Sequence, residues 1–319
     1  MPDALKPIAR SVRLRLLYWK ARRRAARGPE GSLGGGPAAF VFACGRSGTT
    51  ILGRVLSTHP GVRYLREPYH LWAAIDPALD VTNLHARAPA RLWWDASDAT
   101  DAMRARFARV ILGERAGKDV LIEKTPHNVY RVGLLEALTI GTARYVHIVR
   151  DGADVARSIE RICREPSYSM AWRRDYHQWW GSRGAKWERL RTEGPARGHF
   201  TTREVERLVD DAQRGAYEWL TSLEEADRWR AVLGERLLEI AYPELTDDPV
   251  GTMARVAAHV GAEGSEAWLR GTRALVRPER RHGGGVIELP SRMAARFNAF
   301  QSRHGFPGRA SSLPEEEGS

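Results

Sequence analysis

Five short runs punctuate the chain: the apolar 38–43, 119–123, 143–149 and 236–241, and the mixed 62–67 that follows the His59-Pro60 break. Each is too short for a buried helix and is bounded by glycine, proline or charge, so each reads as a strand. Between and after them lie segments with helical periodicity: 51–56, 99–114, 129–138, 152–163, 203–233 and 249–260. Strands alternating with helices predict an α/β domain, with a parallel sheet covered by helices on both faces. No internal repeat is visible.

The ends differ from this core. Over 5–27, Leu5, Ile8, Val12, Leu16 and Trp19 recur at helical spacing among Arg10, Arg13, Lys20, Arg22, Arg23, Arg24 and Arg27. One reading is an arm lying on anionic lipid; the plainer one is a solvated helix packed on the domain or frayed. A Gly-rich linker, 28–37, follows. Residues 307–319 are small, polar and acidic and read as a disordered tail. The organisation expected is an arm and linker at 1–36, one domain at 37–306, and the tail.

Composition narrows the setting. The 319 residues carry a formal charge of +11, which suits an anionic ligand, nucleic acid or anionic membrane without choosing among them. Biased codon composition toward arginine is the plain alternative. No helix-turn-helix, zinc or RNA-binding signature accompanies the charge, so no nucleic-acid partner is expected. Cys44 and Cys163 stand far apart, in no metal-ligand spacing, and suit a reducing cytoplasm. No apolar run of ~18 residues suggests a membrane span, and no secretory signal is evident.

The first chemical signal is Gly45-Arg46-Ser47-Gly48-Thr49-Thr50, between the 38–43 strand and the 51–56 helix. Such a turn offers backbone N–H groups and a helix start to an anion; Thr49 and Thr50 add hydroxyls, and Arg46 a planar cation. A Walker A loop needs lysine where Thr49 stands, which disfavours an ordinary kinase or NTPase. An ordinary tight turn is the plain alternative. This loop resembles the 5′-phosphosulfate loop of sulfotransferases that use 3′-phosphoadenosine-5′-phosphosulfate (PAPS). Its arginine is similar to that of tyrosylprotein and many bacterial members, where cytosolic members often have lysine. The resemblance implies that Arg46, Ser47, Gly48, Thr49 and Thr50 cradle the 5′ end of the donor.

A second match lies at the end of the 143–149 strand. Arg150, with Ser158 eight residues on in the next helix, resembles the family's 3′-phosphate site; the plain alternative is an Arg150–Asp151 ion pair beside a helix cap. The resemblance further implies a catalytic base at Glu67, 21 residues after Arg46, as in tyrosylprotein sulfotransferases, and an electrophilic partner at Lys124. For Glu67 the alternative is a surface carboxylate paired with Arg66, and for Lys124 a solvated loop lysine. Cytosolic members place a histidine base two residues after the matching lysine; here Pro126 takes that place and His127 comes third, which leaves His127 as the second candidate base.

Around Tyr242-Pro243-Glu244-Leu245 and 277–287 the resemblance weakens. Together these features imply a cytoplasmic PAPS-dependent sulfotransferase with a P-loop-type sheet and no metal, with the inner face of the membrane as the alternative location. A small-molecule kinase or NTPase and a non-catalytic nucleotide or anion binder are the competing readings. The acceptor, whether carbohydrate, lipid or other small molecule, and the oligomeric state stay open. Trp72, Trp93, Trp94, Trp172, Trp179, Trp180 and Trp187 would suit sugars or aromatic rings, or simply pack helices. Arg173, Arg174, His177, Arg183 and Lys186 would suit an anionic acceptor.

Overall fold

The computed structural model describes residues 5–171, 173, 175–276 and 285–314. Its strands are β1 (Ala38–Phe42), β2 (Val62–Arg66), β3 (Val120–Lys124), β4 (Arg144–Val149), β5 (Tyr176–His177), β6 (Gly181–Ser182), β7 (Leu237–Ala241), β8 (Val286–Leu289) and β9 (Arg309–Ser312). Five of them form one sheet in the order β2-β3-β1-β4-β7, every pair parallel. The five runs are therefore the five strands of the central sheet.

Burial on both faces explains why the central strand β1 carries no polar residue. Ala38, Phe40 and Phe42 of β1 join Leu121 and Tyr145 in one apolar cluster. Ala39 and Val41 join Ile122, Val146 and Ile148 in a second cluster on the opposite face. A parallel sheet buried on both faces has no solvent side on which to place polar residues. The polar exceptions are paired: in β4, His147 Nδ1 meets Glu239 Oε2 of β7 at 2.9 Å.

Helices wrap this sheet. They are α1 (Lys6–Arg27), α2 (Thr49–Leu56), α3 (Tyr69–Ile75), α4 (Asp101–Val110), α5 (Val132–Thr139) and α6 (Gly152–Arg164) in the first half, then α7 (Ala185–Ala196), α8 (Thr202–Glu206) and α9 (Asp211–Leu233). After β7 come α10 (Tyr242–Asp247), α11 (Pro249–Val260), α12 (Glu266–Leu275) and α13 (Ser291–Arg303). The single helix expected over 203–233 is two. Asp210 accepts from Gln213 N and Gln213 Oε1 from Asp210 N, so a capping box restarts the helix there.

Two expectations about the ends change. Residues 309–312, assigned to a disordered tail on composition, form β9 and pair in parallel with β8. Small polar side chains leave the backbone as able to pair as any other, and Ala310 is buried there. The rest of the tail, 315–319, lies outside the described residues. The basic arm is a packed helix: its small residues Ser11, Ala21 and Ala25 are buried, and α1 lies against α3 and α4. Its larger apolar side chains, Leu5, Ile8, Val12, Leu16 and Trp19, point into solvent.

The tail and α6 are tied by one carboxylate. Asp151 caps α6, its Oδ1 accepting from Ala153 N (2.8 Å) and Asp154 N (3.1 Å). Its Oδ2 accepts from Gly308 N (2.8 Å) and Gln301 Nε2 (3.0 Å). Truncation would remove the cap and strand two buried donors. Asp151→Ala should lower unfolding free energy by about 2–4 kcal/mol in urea titration; an unchanged midpoint would show that the carboxylate holds neither element.

Candidate active site

β1 lies between β3 and β4, so the chain leaves the sheet at a topological switch point, where a crevice opens beyond the strand ends. The loop 45–50 springs from β1 into α2, Lys124 closes β3, Glu67 follows β2, and Arg150 follows β4. A cleft of about 950 Å³ opens over these ends, within the usual range for ligand sites. Gly45, Arg46, Gly48, Thr49, Thr50, Glu67, His127 and Arg150 all line it.

The loop is glycine-bound for steric reasons. Gly48 caps α2 at φ 102°, and a Cβ there would lie 2.3 Å from the Tyr242 ring. A Cβ on Gly45 would lie 2.4 Å from Cη2 of Trp179. The backbone thus threads between two aromatic rings, and α2 begins at the cleft, with Thr49, Thr50 and Ile51 in its lining. Ser47 and Thr49 are buried, whereas Arg46 and Thr50 are exposed. Arg46 adopts φ 74°, a left-handed conformation that costs a non-glycine residue about 1 kcal/mol or more.

Arg46 and Arg150 converge. Arg46 Nε donates to Ser158 Oγ at 3.0 Å, and Arg150 Nη1 donates to the Arg46 carbonyl at 3.4 Å. The arginine of the first loop therefore reaches the serine of the second motif. Arg150 stacks on the Tyr242 ring at 4.7 Å and pairs with Asp154 at 3.5 Å. The Arg150–Asp151 pair considered from the sequence does not form, because Asp151 turns inward to cap α6. Desolvation, then the charges of Arg161 and Arg150, lower the pKa of Arg46, with Glu67 opposing them. Such crowding of cations favours a bound anion. Arg161 was not anticipated; it stands three residues after Ser158 on α6, which puts both on one helix face.

Lys124 Nζ donates to Glu67 Oε1. Lys124 is fully buried and Glu67 is 34% exposed at the side chain, so the carboxylate is the member of the pair that meets solvent. The two are brought together by the ladder: Arg66 is in register with Lys124, and Glu67 N donates to the Lys124 carbonyl at 2.7 Å. Glu67 sits at φ 46°, directly before Pro68. Beneath them Glu123 is buried, its carboxylate accepting from Trp72 Nε1 (3.0 Å), Thr125 Oγ1 (2.5 Å) and Asn128 Nδ2. Those bonds fix the segment that carries Lys124 and His127.

His127 is buried against the Tyr69 ring, with no hydrogen-bond partner for Nδ1. Burial, then the charges of Lys186, Arg131 and Lys124, hold its pKa well below the ordinary imidazole value. It is a neutral ring with little tendency to take a proton.

The aromatic and basic residues assigned to an acceptor site mostly do something else. Trp72, Trp93, Trp94 and Trp180 are buried, with indole N–H groups donating to Glu123, Glu225, the Arg91 carbonyl and Asp211. Trp187 packs on the core, and Trp179 lines the cleft. His177 accepts from Trp179 N and Trp180 N in a turn, while Arg173 and Arg183 line a separate depression. Lys186 reaches the cleft but is buried in an ion pair with Glu218 at 2.9 Å, which neutralises it. Trp172 and Arg174 lie outside the described residues, as does most of the basic stretch at 277–287.

Among the described residues, no group of three or more His, Cys, Asp or Glu is arranged to hold a metal ion, and no helix is long and apolar enough to cross a membrane.

A sulfotransferase from Mycobacterium avium is similar in structure, with a TM-score of 0.50 at 15% identity over 97% of this chain and 86% of that one. A sulfotransferase from Alicyclobacillus acidocaldarius has a TM-score of 0.43 at 17% identity, over 83% of this chain and 95% of that one. Mouse sulfotransferase SULT7A1, solved in complex with PAP, has a TM-score of 0.40 at 14% identity over 75% of this chain, which spans 64% of the mouse protein. No curated protein matches the sequence. The family model described as the sulfotransferase family matches residues 37–201. That match runs over more than half of the chain and over both strand-end loops, and it settles the family: this chain belongs to the sulfotransferases.

Proposed function

We propose that this sulfotransferase moves the sulfuryl group of PAPS to an acceptor hydroxyl by in-line displacement, with Glu67 as the base. The observation that carries the reading is the convergence of Arg46, Ser158 and Arg150 at a cleft that is also lined by Glu67, itself paired with the buried Lys124. One small nucleotide with an anionic group at each end would engage both.

In this reading the 45–50 turn holds the 5′ end of the donor through backbone N–H groups and the Thr49 and Thr50 hydroxyls. Arg150 and Ser158 hold the 3′-phosphate, and Arg46, already bonded to Ser158, braces that end as well. The acceptor oxygen attacks sulfur as the bond between sulfur and the 5′-phosphate oxygen breaks. Glu67 takes the hydroxyl proton, and Lys124 steadies the negative charge that grows on the bridging oxygen. The leaving group is 3′-phosphoadenosine-5′-phosphate (PAP). His127 suits the base role less well than Glu67, since burial and three neighbouring cations all oppose an imidazolium there. The domain expected from the sequence, 37–306, would carry the whole reaction.

Thermal denaturation tests the donor. PAP at about a hundredfold over its Kd should raise Tm by roughly 5 °C, and ATP or AMP by much less. Equal shifts would defeat the assignment. Arg150→Ala should erase most of PAP's advantage over AMP.

Turnover tests the base. Glu67→Gln should cut kcat about a hundred- to ten-thousandfold while the PAP shift survives. A near-native rate would move the role elsewhere.

The pH profile tests His127 separately. Because its folded pKa is lowered, the ring is already neutral throughout the ordinary imidazole range and titrates only below it. The kcat/KM profile should therefore show no inflection near pH ~6.5. An inflection there that disappears in His127→Asn would return the proton to His127.

A further inference from the structure

Helix α1 turns the usual arrangement of an amphipathic helix inside out. It is anchored through small and polar residues: Ser11, Ala21 and Ala25 are buried, and Ser11 Oγ accepts from Ala171 N at 3.2 Å. Arg109 Nη1 donates to the Ala25 carbonyl at 3.0 Å, Arg10 Nη1 to the Ser169 carbonyl at 3.3 Å, and Arg24 pairs with Glu114. These contacts fix the rotation of the helix about its axis. They leave Leu5, Ile8, Val12, Leu16 and Trp19 outward, each 41–53% exposed. At about 100° per residue the five fall within a sector of about 80°.

This stripe is not ordinary surface. Among the described residues nine large hydrophobic side chains are exposed, and five of them lie on this one helix and its N-cap, Leu5. Scattered exposed hydrophobics are normal, whereas a contiguous stripe marks something that covers it. Its borders say what. Lys6, Arg13 and Lys20 run along one flank and Arg15 and Arg22 along the other, all exposed. The whole helix holds nine basic residues and no acidic one. An apolar strip between two rows of cations is complementary to an anionic bilayer, with acyl chains under the strip and headgroup phosphates beside the rows. A second copy of the chain would set these cations against identical cations.

The helix is also a wall of the cleft. Arg13, Leu14 and Leu17 line it together with the loop 45–50, and Arg13 belongs at once to the cleft and to the flank of the stripe. Whatever surface receives the stripe therefore lies beside the cleft.

We propose that α1 docks this protein on an anionic phospholipid surface through Leu5, Ile8, Val12, Leu16 and Trp19, and that the cleft takes its acceptor hydroxyl from an amphiphile held in that surface. The acceptor half rests on the sulfotransferase reading above; the docking half does not.

Cosedimentation of the full chain with vesicles tests docking. The vesicles are phosphatidylcholine alone, or phosphatidylcholine with about a quarter phosphatidylglycerol. The protein should pellet with the mixed vesicles, less with neutral ones, and less again at about 0.5 M salt. Leu16→Glu with Trp19→Glu should weaken pelleting at least about tenfold. Both positions are exposed and outside the cleft lining, so the PAP thermal shift should be unchanged and will report folding. Equal pelleting of native protein and double variant, equal pelleting on both vesicle types, or none on either, overturns docking. A dimer in light scattering that the double variant breaks would assign the stripe to a second copy and overturn it too.

Sulfur-labelled PAPS with an extract of the cells that make the protein tests the acceptor half. Label should enter the chloroform-soluble fraction, and its absence there overturns this half. If PAP also fails to bind, the donor reading is what failed, and the vesicle result still stands or falls by itself.

Discussion

The site depends on β1 having a parallel partner on each side. Because β3 and β4 both run with β1, three segments leave the sheet in the same direction within about 5 Å of their neighbours. Val41 is in register with Lys124, and Phe42 with His147, two residues before the end of β4. That register alone sets the ammonium of Lys124 on one side of the loop 45–50 and the guanidinium of Arg150 on the other. Adding β2 beyond β3 then delivers Glu67 to Lys124. No single segment holds the chemistry, and a slip of one register position would turn Lys124 to the other face of the sheet.

Where the local rules break, they break at this edge. Arg46 and Glu67 both take left-handed backbone angles that neither side chain favours. The surroundings over-determine both. The loop beside Arg46 is confined by Trp179 and Tyr242, and Glu67 is held by its bond to the Lys124 carbonyl and by Pro68 after it. Strain that persists because neighbours enforce it is typical of positions that must aim a side chain. A relaxed extended Glu67 would continue β2 and carry its carboxylate past Lys124.

Much of this edge was legible in the sequence, since each strand ends within a residue or two of the group it presents. The apolar runs gave β1, β3 and β4, and the glycines, arginines and threonines at their ends gave the loops. What periodicity could not supply was side and distance. In α1 the spacing of Leu5, Ile8, Val12, Leu16 and Trp19 showed a helix, but nothing in that spacing says which face meets protein. The answer came from Ser11, Ala21 and Ala25, small enough for close approach to α3 and α4. The pairing of Lys186 with Glu218 joins residues of α7 and α9 that no local pattern connects, and it removed a cation that the sequence seemed to offer an acceptor. The tail strand β9 was hidden for a related reason: its pairing depends on β8 and on Asp151, not on its own composition.

That buried pair also explains how the donor loop is held from outside the sheet. Glu218 accepts from Lys186 and from Trp179 Nε1 at 3.0 Å, and Lys186 lies 3.9 Å from the centre of the Trp179 ring. The indole is thereby fixed in both position and tilt, with its edge against Gly45. A buried ion pair contributes little net stability against an apolar substitute, because desolvation offsets the attraction. Its value here is geometric: the ring that limits Gly45 cannot rotate away while both partners remain. Two walls of the cleft are thus held by different means. The loop 45–50 is fixed by the sheet ladder and by this clamp from α9. Another wall of the cleft is α1, which is seated on α3 and α4 through small side chains, Tyr18 and a few arginine contacts.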